Sequence, residues 1–96
     1  MTALPLKGVR VVNFGWVWAG PVVGQTLGFL GAEVLKIESR SRLDPMRRMP
    51  PFQGGTYDPD RSYSNHACWA GNGSVSLNLK EPEALHLARR LIARSD

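Results

Sequence analysis

A strand pattern, Val9-Arg10-Val11-Val12-Asn13-Phe14, runs directly into the turn Gly15-Trp16-Val17-Trp18-Ala19-Gly20-Pro21. A helical stretch from Val22 to Leu30 runs out of that turn, and a second strand pattern, Ala32-Glu33-Val34-Leu35-Lys36-Ile37-Glu38, follows at once. The first strand is β-branched and nearly continuous in apolarity, which reads as a buried parallel strand. A crossover this short makes the two strands parallel neighbours. The chain is thereby constrained to an α/β fold whose ligand site lies at the carboxyl end of a parallel sheet, at the turn itself. Two tryptophans inside such a turn are unusual for a mere connection. Trp16 is expected to pack beneath the turn and Trp18 to line a site, because an aromatic wall suits an acyl or aryl group.

The helix after the turn takes Pro21 in its first turn, where the missing N–H costs nothing. Val22, Val23, Thr26, Leu27 and Leu30 have the spacing of a buried stripe, and Gly31 is placed to cap the end. Gly24 and Gly28, on the same helix, permit close approach of another backbone. From Ser39 to Gly73 the periodicity disappears, apart from a helical turn that Ser62–Trp69 could hold. A stretch of about 35 residues without structure of its own is uncommon inside a compact domain and is usually functional or mobile. Ser74-Val75-Ser76-Leu77-Asn78-Leu79 alternates as a third strand. Pro82 and the flanking Glu81 and Glu83 open a second long helix, with Ala84, Leu85, Ala88, Leu91 and Ile92 as its expected buried stripe. Three strands and two helices make a thin sheet with exposed edges, as expected of part of a larger domain.

Charge and composition narrow the function. At 43% apolar residues over 96 positions the chain can build one modest core. It has no run of the ~20 apolar residues a membrane span needs and no signal-peptide pattern, so a cytoplasmic protein with no membrane partner is expected. Cys68 is the single cysteine and is expected to be buried, and the separation of His66 and His86 gives no metal-ligand spacing. The net charge is +4, with Arg40, Arg42, Arg47 and Arg48 clustered in one aperiodic segment. That cluster reads either as a solvated loop or as a phosphate site, since guanidinium forks match phosphate oxygens. A nucleic-acid partner is not expected, because no recognised binding motif accompanies the arginines.

Two phosphate-loop motifs fail. Gly15 and Gly20 have the spacing of a P-loop, but Pro21 and Val22 stand where lysine and a hydroxyl residue are required. The dinucleotide fingerprint needs closely spaced glycines, whereas this turn offers Gly15, Gly20 and Gly24; Glu38 at a strand end is weak support alone.

The ordered blocks Leu6–Phe14, Ala19-Gly20-Pro21, Leu30–Glu38, Asp44-Pro45-Met46-Arg47 and Ser74–Glu83 resemble the N-terminal part of the class III CoA-transferases. That family includes formyl-CoA and carnitine CoA-transferases and the related α-methylacyl-CoA racemases. The resemblance implies a Rossmann-like β-α-β start with a largely parallel sheet, residues 1–96 forming part of the large domain of an enzyme whose two chains interlock as a homodimer. It implies transfer of CoA between an acyl-CoA donor and a carboxylic acid acceptor, with the CoA thioester as substrate and no permanently bound cofactor. The nucleophilic aspartate of the family is expected beyond residue 96, so this segment alone should be inactive.

By the same resemblance Val17, Trp18 and Ala19 lie near the thioester end of CoA, and Leu77 and Lys80 contact its nucleotide part. Arg40 stands beside Ser39, the position where relatives often carry an arginine. Trp18 replaces a glutamine of formyl-CoA transferase, and Asn72-Gly73 replaces a basic pair common in the family. A racemase or another CoA-thioester enzyme of the same fold is the alternative within the family. A non-catalytic CoA-binding or interaction fragment is the alternative outside it.

Overall fold

The computed structural model describes residues 3–96. Three strands, β1 (Arg10–Asn13), β2 (Glu33–Glu38) and β3 (Gly73–Ser76), form one parallel sheet in the order β1-β2-β3. Helix α1 (Ala19–Phe29) connects the first two strands, while a 3-10 turn (Pro45–Arg48) and a short helix α2 (Tyr63–Cys68) lie between the second and third. Helix α3 (Pro82–Ala93) follows β3, with Pro82 in its first turn. The α/β class and the parallel pairing follow the sequence pattern; β1 is shorter at both ends, β2 starts one residue later, and β3 starts one residue earlier and stops at Ser76.

β1 is only half-buried along its length, so the expected fully buried strand is corrected. It lies at an edge of the sheet, and the backbone beyond α3 reaches that edge: Asp96 donates its N–H to Arg10 O at 2.8 Å, and Arg10 N–H donates to Asp96 Oδ2 at 3.0 Å.

The expected stripe of α1 is also corrected. Pro21 and Gly24 are buried, whereas Val22, Val23 and Leu30 are exposed. The sheet lies too close for a side chain: a Cβ on Gly24 would stand 2.7 Å from Asn13 Nδ2 and 3.3 Å from Val34 Cγ1. A glycine face packs where large residues could not enter. On α3 only Ala88 is fully buried, and Leu85 and Ile92 remain exposed.

The segment from Ser39 to Gly73 is not structureless. Ser62 Oγ donates to the carbonyls of Met46 (2.9 Å) and Met49 (2.8 Å) and accepts from Asn65 N–H, which begins α2 and ties the loop across itself. Met46, Cys68 and Trp69 from this segment form the buried cluster, with Val17 packed against it. Cys68 is buried as expected, and burial, with the Asp44 charge beside it, pushes its thiol pKa up. Among the described residues no helix is long and apolar enough to cross a membrane.

Candidate functional site

Asn13, the last residue of β1, shapes the turn that follows it. Its Oδ1 accepts from Gly15 N–H at 2.7 Å and its Nδ2 donates to Gly20 O at 2.8 Å, so one amide holds both ends. The two ends meet closely: a Cβ on either Gly15 or Gly20 would lie 2.4 Å from the other's Cα. Between them Val17 adopts φ 63°, the one non-glycine positive φ among the described residues. For a β-branched residue that conformation costs roughly 1–2 kcal/mol.

Asp44 counters this strain. It is buried, and its Oδ1 accepts from Val17 N–H at 3.3 Å and from Met46 N–H at 3.0 Å, which starts the 3-10 turn. Its Oδ2 accepts from Lys36 Nζ at 3.2 Å. Lys36 projects from β2, also approaches Glu38 Oε2 at 3.5 Å, and lies 4.1 Å from the centre of the Trp69 ring. The buried cation is thus met by two carboxylates and an aromatic face, the pairing that a buried charge requires.

A cleft of about 650 Å³ opens at the carboxyl ends of the three strands. Phe14 and Trp16 line it after β1, Ile37, Glu38, Ser39, Ser41 and Arg42 contribute from β2 and its extension, and Leu77 to Lys80 follow β3. Its walls are largely apolar, with cationic side chains at Arg42 and Lys80. The Arg42 guanidinium lies 4.9 Å from the centre of the Trp16 ring. Asn78 Oδ1 accepts from Lys80 N–H at 3.2 Å, fixing the bend that carries the lysine.

Glu38 is the one carboxylate on the cleft wall, and it is already engaged. Arg47 forks onto it, Nη2 to Oε1 at 2.7 Å and Nε to Oε2 at 2.9 Å, and Ser74 Oγ donates to Oε1. Burial raises its pKa, but the hydrogen bonds from Arg47 and Ser74 and the charges of Arg47 and Lys36 outweigh that and lower it to about 2. It stays ionised and paired, unsuited to act as a nucleophile or base. Asp44, Asp58, Asp60 and Asp96 all lie outside the cleft wall.

The expected site residues separate on this geometry. Leu77 and Lys80 line the cleft; Val17, Trp18, Ala19 and Arg40 do not. Trp18 is 57% exposed, and Trp16, expected beneath the turn, holds the cleft wall instead. The arginine cluster also divides: Arg40 pairs with Asp60 at 3.0 Å, Arg47 braces Glu38, and Arg42 faces the cleft. Asn72 and Gly73 line a separate hollow of about 460 Å³ with Lys36 and Trp69. Arg42 belongs to the cluster read from sequence as a candidate phosphate site, whereas Phe14, Trp16 and Asn78 were not singled out as ligand contacts. Their common signal is position, each lying just beyond a strand's carboxyl end.

A strand-end cleft with aromatic, aliphatic and cationic walls suits a ligand that is part apolar and part anionic. The model of CoA-transferase family III matches residues 6–96, and the chain belongs to that family. It is 40% identical over 93 residues to the succinyl-CoA–L-malate CoA-transferase alpha subunit of Chloroflexus aurantiacus, covering 97% of this chain and 21% of that protein. It is 38% identical over 94 residues to the succinate–glutarate CoA-transferase of Agrobacterium fabrum, covering 96% and 24%. Among solved structures, a CAIB/BAIF family protein from Brucella suis superposes with a TM-score of 0.84 at 40% identity, covering 99% of this chain and 25% of that one. The chain therefore spans about a fifth to a quarter of the length of these relatives.

Proposed function

We propose that this chain forms the opening part of a CoA-transferase that moves CoA from an acyl-CoA donor, succinyl-CoA in the first instance, to a carboxylic acid. The observation that carries the reading is the cleft between Trp16 and Lys80, whose apolar walls and cations match an acyl-nucleotide thioester, in a chain whose relatives are named for succinyl-CoA transfer. Leu77 and Lys80 take the nucleotide part, Arg42 adds a donor fork for phosphate, and Trp16 supplies a stacking wall. Val17, Trp18, Ala19 and Arg40, which lie off the cleft wall, are assigned no contact with the thioester in this reading.

The reaction requires an aspartate nucleophile, supplied from outside these 96 residues. Its carboxylate attacks the thioester carbonyl and expels CoA thiolate, leaving an acyl-aspartyl anhydride. The thiolate then attacks the aspartyl carbonyl, which releases the donor acid and leaves aspartyl-CoA. The acceptor carboxylate repeats the exchange in reverse, and the new acyl-CoA leaves with the aspartate regenerated. This segment's part is to bind and orient the thioester. The full-length enzyme acts as an interlocked homodimer in the cytoplasm, without a resident cofactor.

The full-length gene product, given succinyl-CoA and a labelled carboxylic acid, should carry the label into the thioester pool. Hydroxylamine should convert one aspartate to its hydroxamate, read by mass spectrometry. Exchange of the α-proton without CoA transfer would place the protein with the racemases instead. Neither reaction with any acyl-CoA would overturn the proposal.

A further inference from the structure

We infer that Asp44 is a positioning residue for the cleft: through Val17 it sets which tryptophan of the turn faces the ligand. The inference rests on the reading of the cleft as a thioester site, but the placement of Trp16 can be tested without it. Val17 is held in a left-handed conformation that a valine does not choose. Two contacts hold it there. Its side chain packs on Met46, Cys68 and Trp69, and its N–H donates to Asp44 Oδ1.

Asp44 is itself fixed. Its side chain is fully buried, Oδ1 also caps the 3-10 turn at Met46, and Oδ2 is bound by Lys36 from β2. One carboxylate therefore ties the turn after β1 to the middle strand and to the start of the long connection. The residues on either side of Val17 report the consequence. Trp16 lies on the cleft wall beside Arg42, and Trp18 points into solvent. Removing the acceptor frees Val17 to return to a negative φ, which rotates the peptide planes on both sides and withdraws the Trp16 wall. Asp44 touches no ligand in this account; it acts through the turn.

The test separates the acceptor from the charge. With Lys36→Met as a common background, the buried ion pair is neutralised, a change that cores often tolerate. Asp44→Asn then keeps an oxygen for Val17 and Met46, whereas Asp44→Leu removes it. Both double variants are made in the full-length gene product labelled with 5-fluorotryptophan, the Trp16 resonance being assigned by Trp16→Phe. The leucine pair should shift the Trp16 resonance and raise KM for the acyl-CoA donor roughly tenfold, the scale on which a misplaced binding wall acts. The asparagine pair should restore both readouts toward wild type.

A merely structural Asp44 would alter folding yield and leave the two pairs alike in resonance and KM, and that result would overturn the inference. If the wild-type enzyme transfers no CoA, the proposed function fails and the fluorine resonance alone decides the role of Asp44. Should the leucine pair not fold, Asp44→Ser in the same background replaces it, since the shorter hydroxyl cannot serve both amides. The same shift is expected of it, and an unshifted resonance would count against the inference equally.

Discussion

Arg47→Met should destabilise the protein by about 2 kcal/mol at neutral pH and by progressively less in acid. Arg47 forks onto Glu38 with both side chains nearly enclosed, 13% and 12% exposed, and Nη1 also donates to Pro59 O at 2.9 Å. Burial would raise the Glu38 pKa, yet Arg47, Ser74 and Lys36 bring it from 4.5 to about 2. A fall of about 2.5 pH units corresponds to at most ~3.4 kcal/mol at 1.36 per unit. Solvent screening at the cleft rim and the shares of Ser74 and Lys36 reduce the part due to Arg47 to about 2 kcal/mol. The folded pKa is the lower one, so the stabilisation is complete above the unfolded value of 4.5 and is lost as pH falls toward about 2. Urea unfolding of the full-length gene product and its Arg47→Met variant, followed by tryptophan fluorescence, reads the difference in midpoint. The gap should hold from about pH 7 to 5 and narrow by about pH 3. A gap under ~0.5 kcal/mol at neutral pH, or one unchanged in acid, would refute the reasoning.

Gly20→Ala should cost roughly 2–3 kcal/mol, because its Cβ has nowhere to go but into Gly15, and thermal unfolding would show it; an unaltered midpoint would mean that the ends of the turn are not in contact. Ser62→Ala removes the hydroxyl that serves Met46 O and Met49 O and should cost about 1–3 kcal/mol. Limited proteolysis between Met49 and Ser62 should accelerate in that variant, and an unchanged cleavage rate would contradict the assigned tie.

The strand-helix-strand start was legible because β-branched runs and a short crossover leave few alternatives. The buried face of α1 was legible only in part: Gly24 was read as a point of close approach, but valine and leucine at helical spacing suggested a stripe where the sheet admits Gly24 and Pro21. The long connection lacked a period, yet it carries the buried Met46, Cys68 and Trp69. Its order comes from Ser62 and Asp44, single polar residues reaching across many positions, which no local pattern reveals. In the site, Leu77 and Lys80 were placed by the family resemblance, and both line the cleft. Trp16 and Trp18 were expected on different sides, but it is Trp16 that lines the cleft and Trp18 that is exposed, and no sequence pattern gives the backbone angle at Val17 between them. Likewise Arg40, Arg42 and Arg47 look alike in sequence and separate only through the carboxylates that Asp60 and Glu38 present.

The most direct test of the account is equilibrium titration of CoA into the full-length gene product, compared with its Trp16→Ala and Lys80→Glu variants. A cleft that holds the thioester between these two residues predicts binding by the wild type and roughly tenfold weaker binding, about 1.4 kcal/mol, in each variant. Equal affinity in all three proteins would show that CoA binds elsewhere and would contradict the assignment.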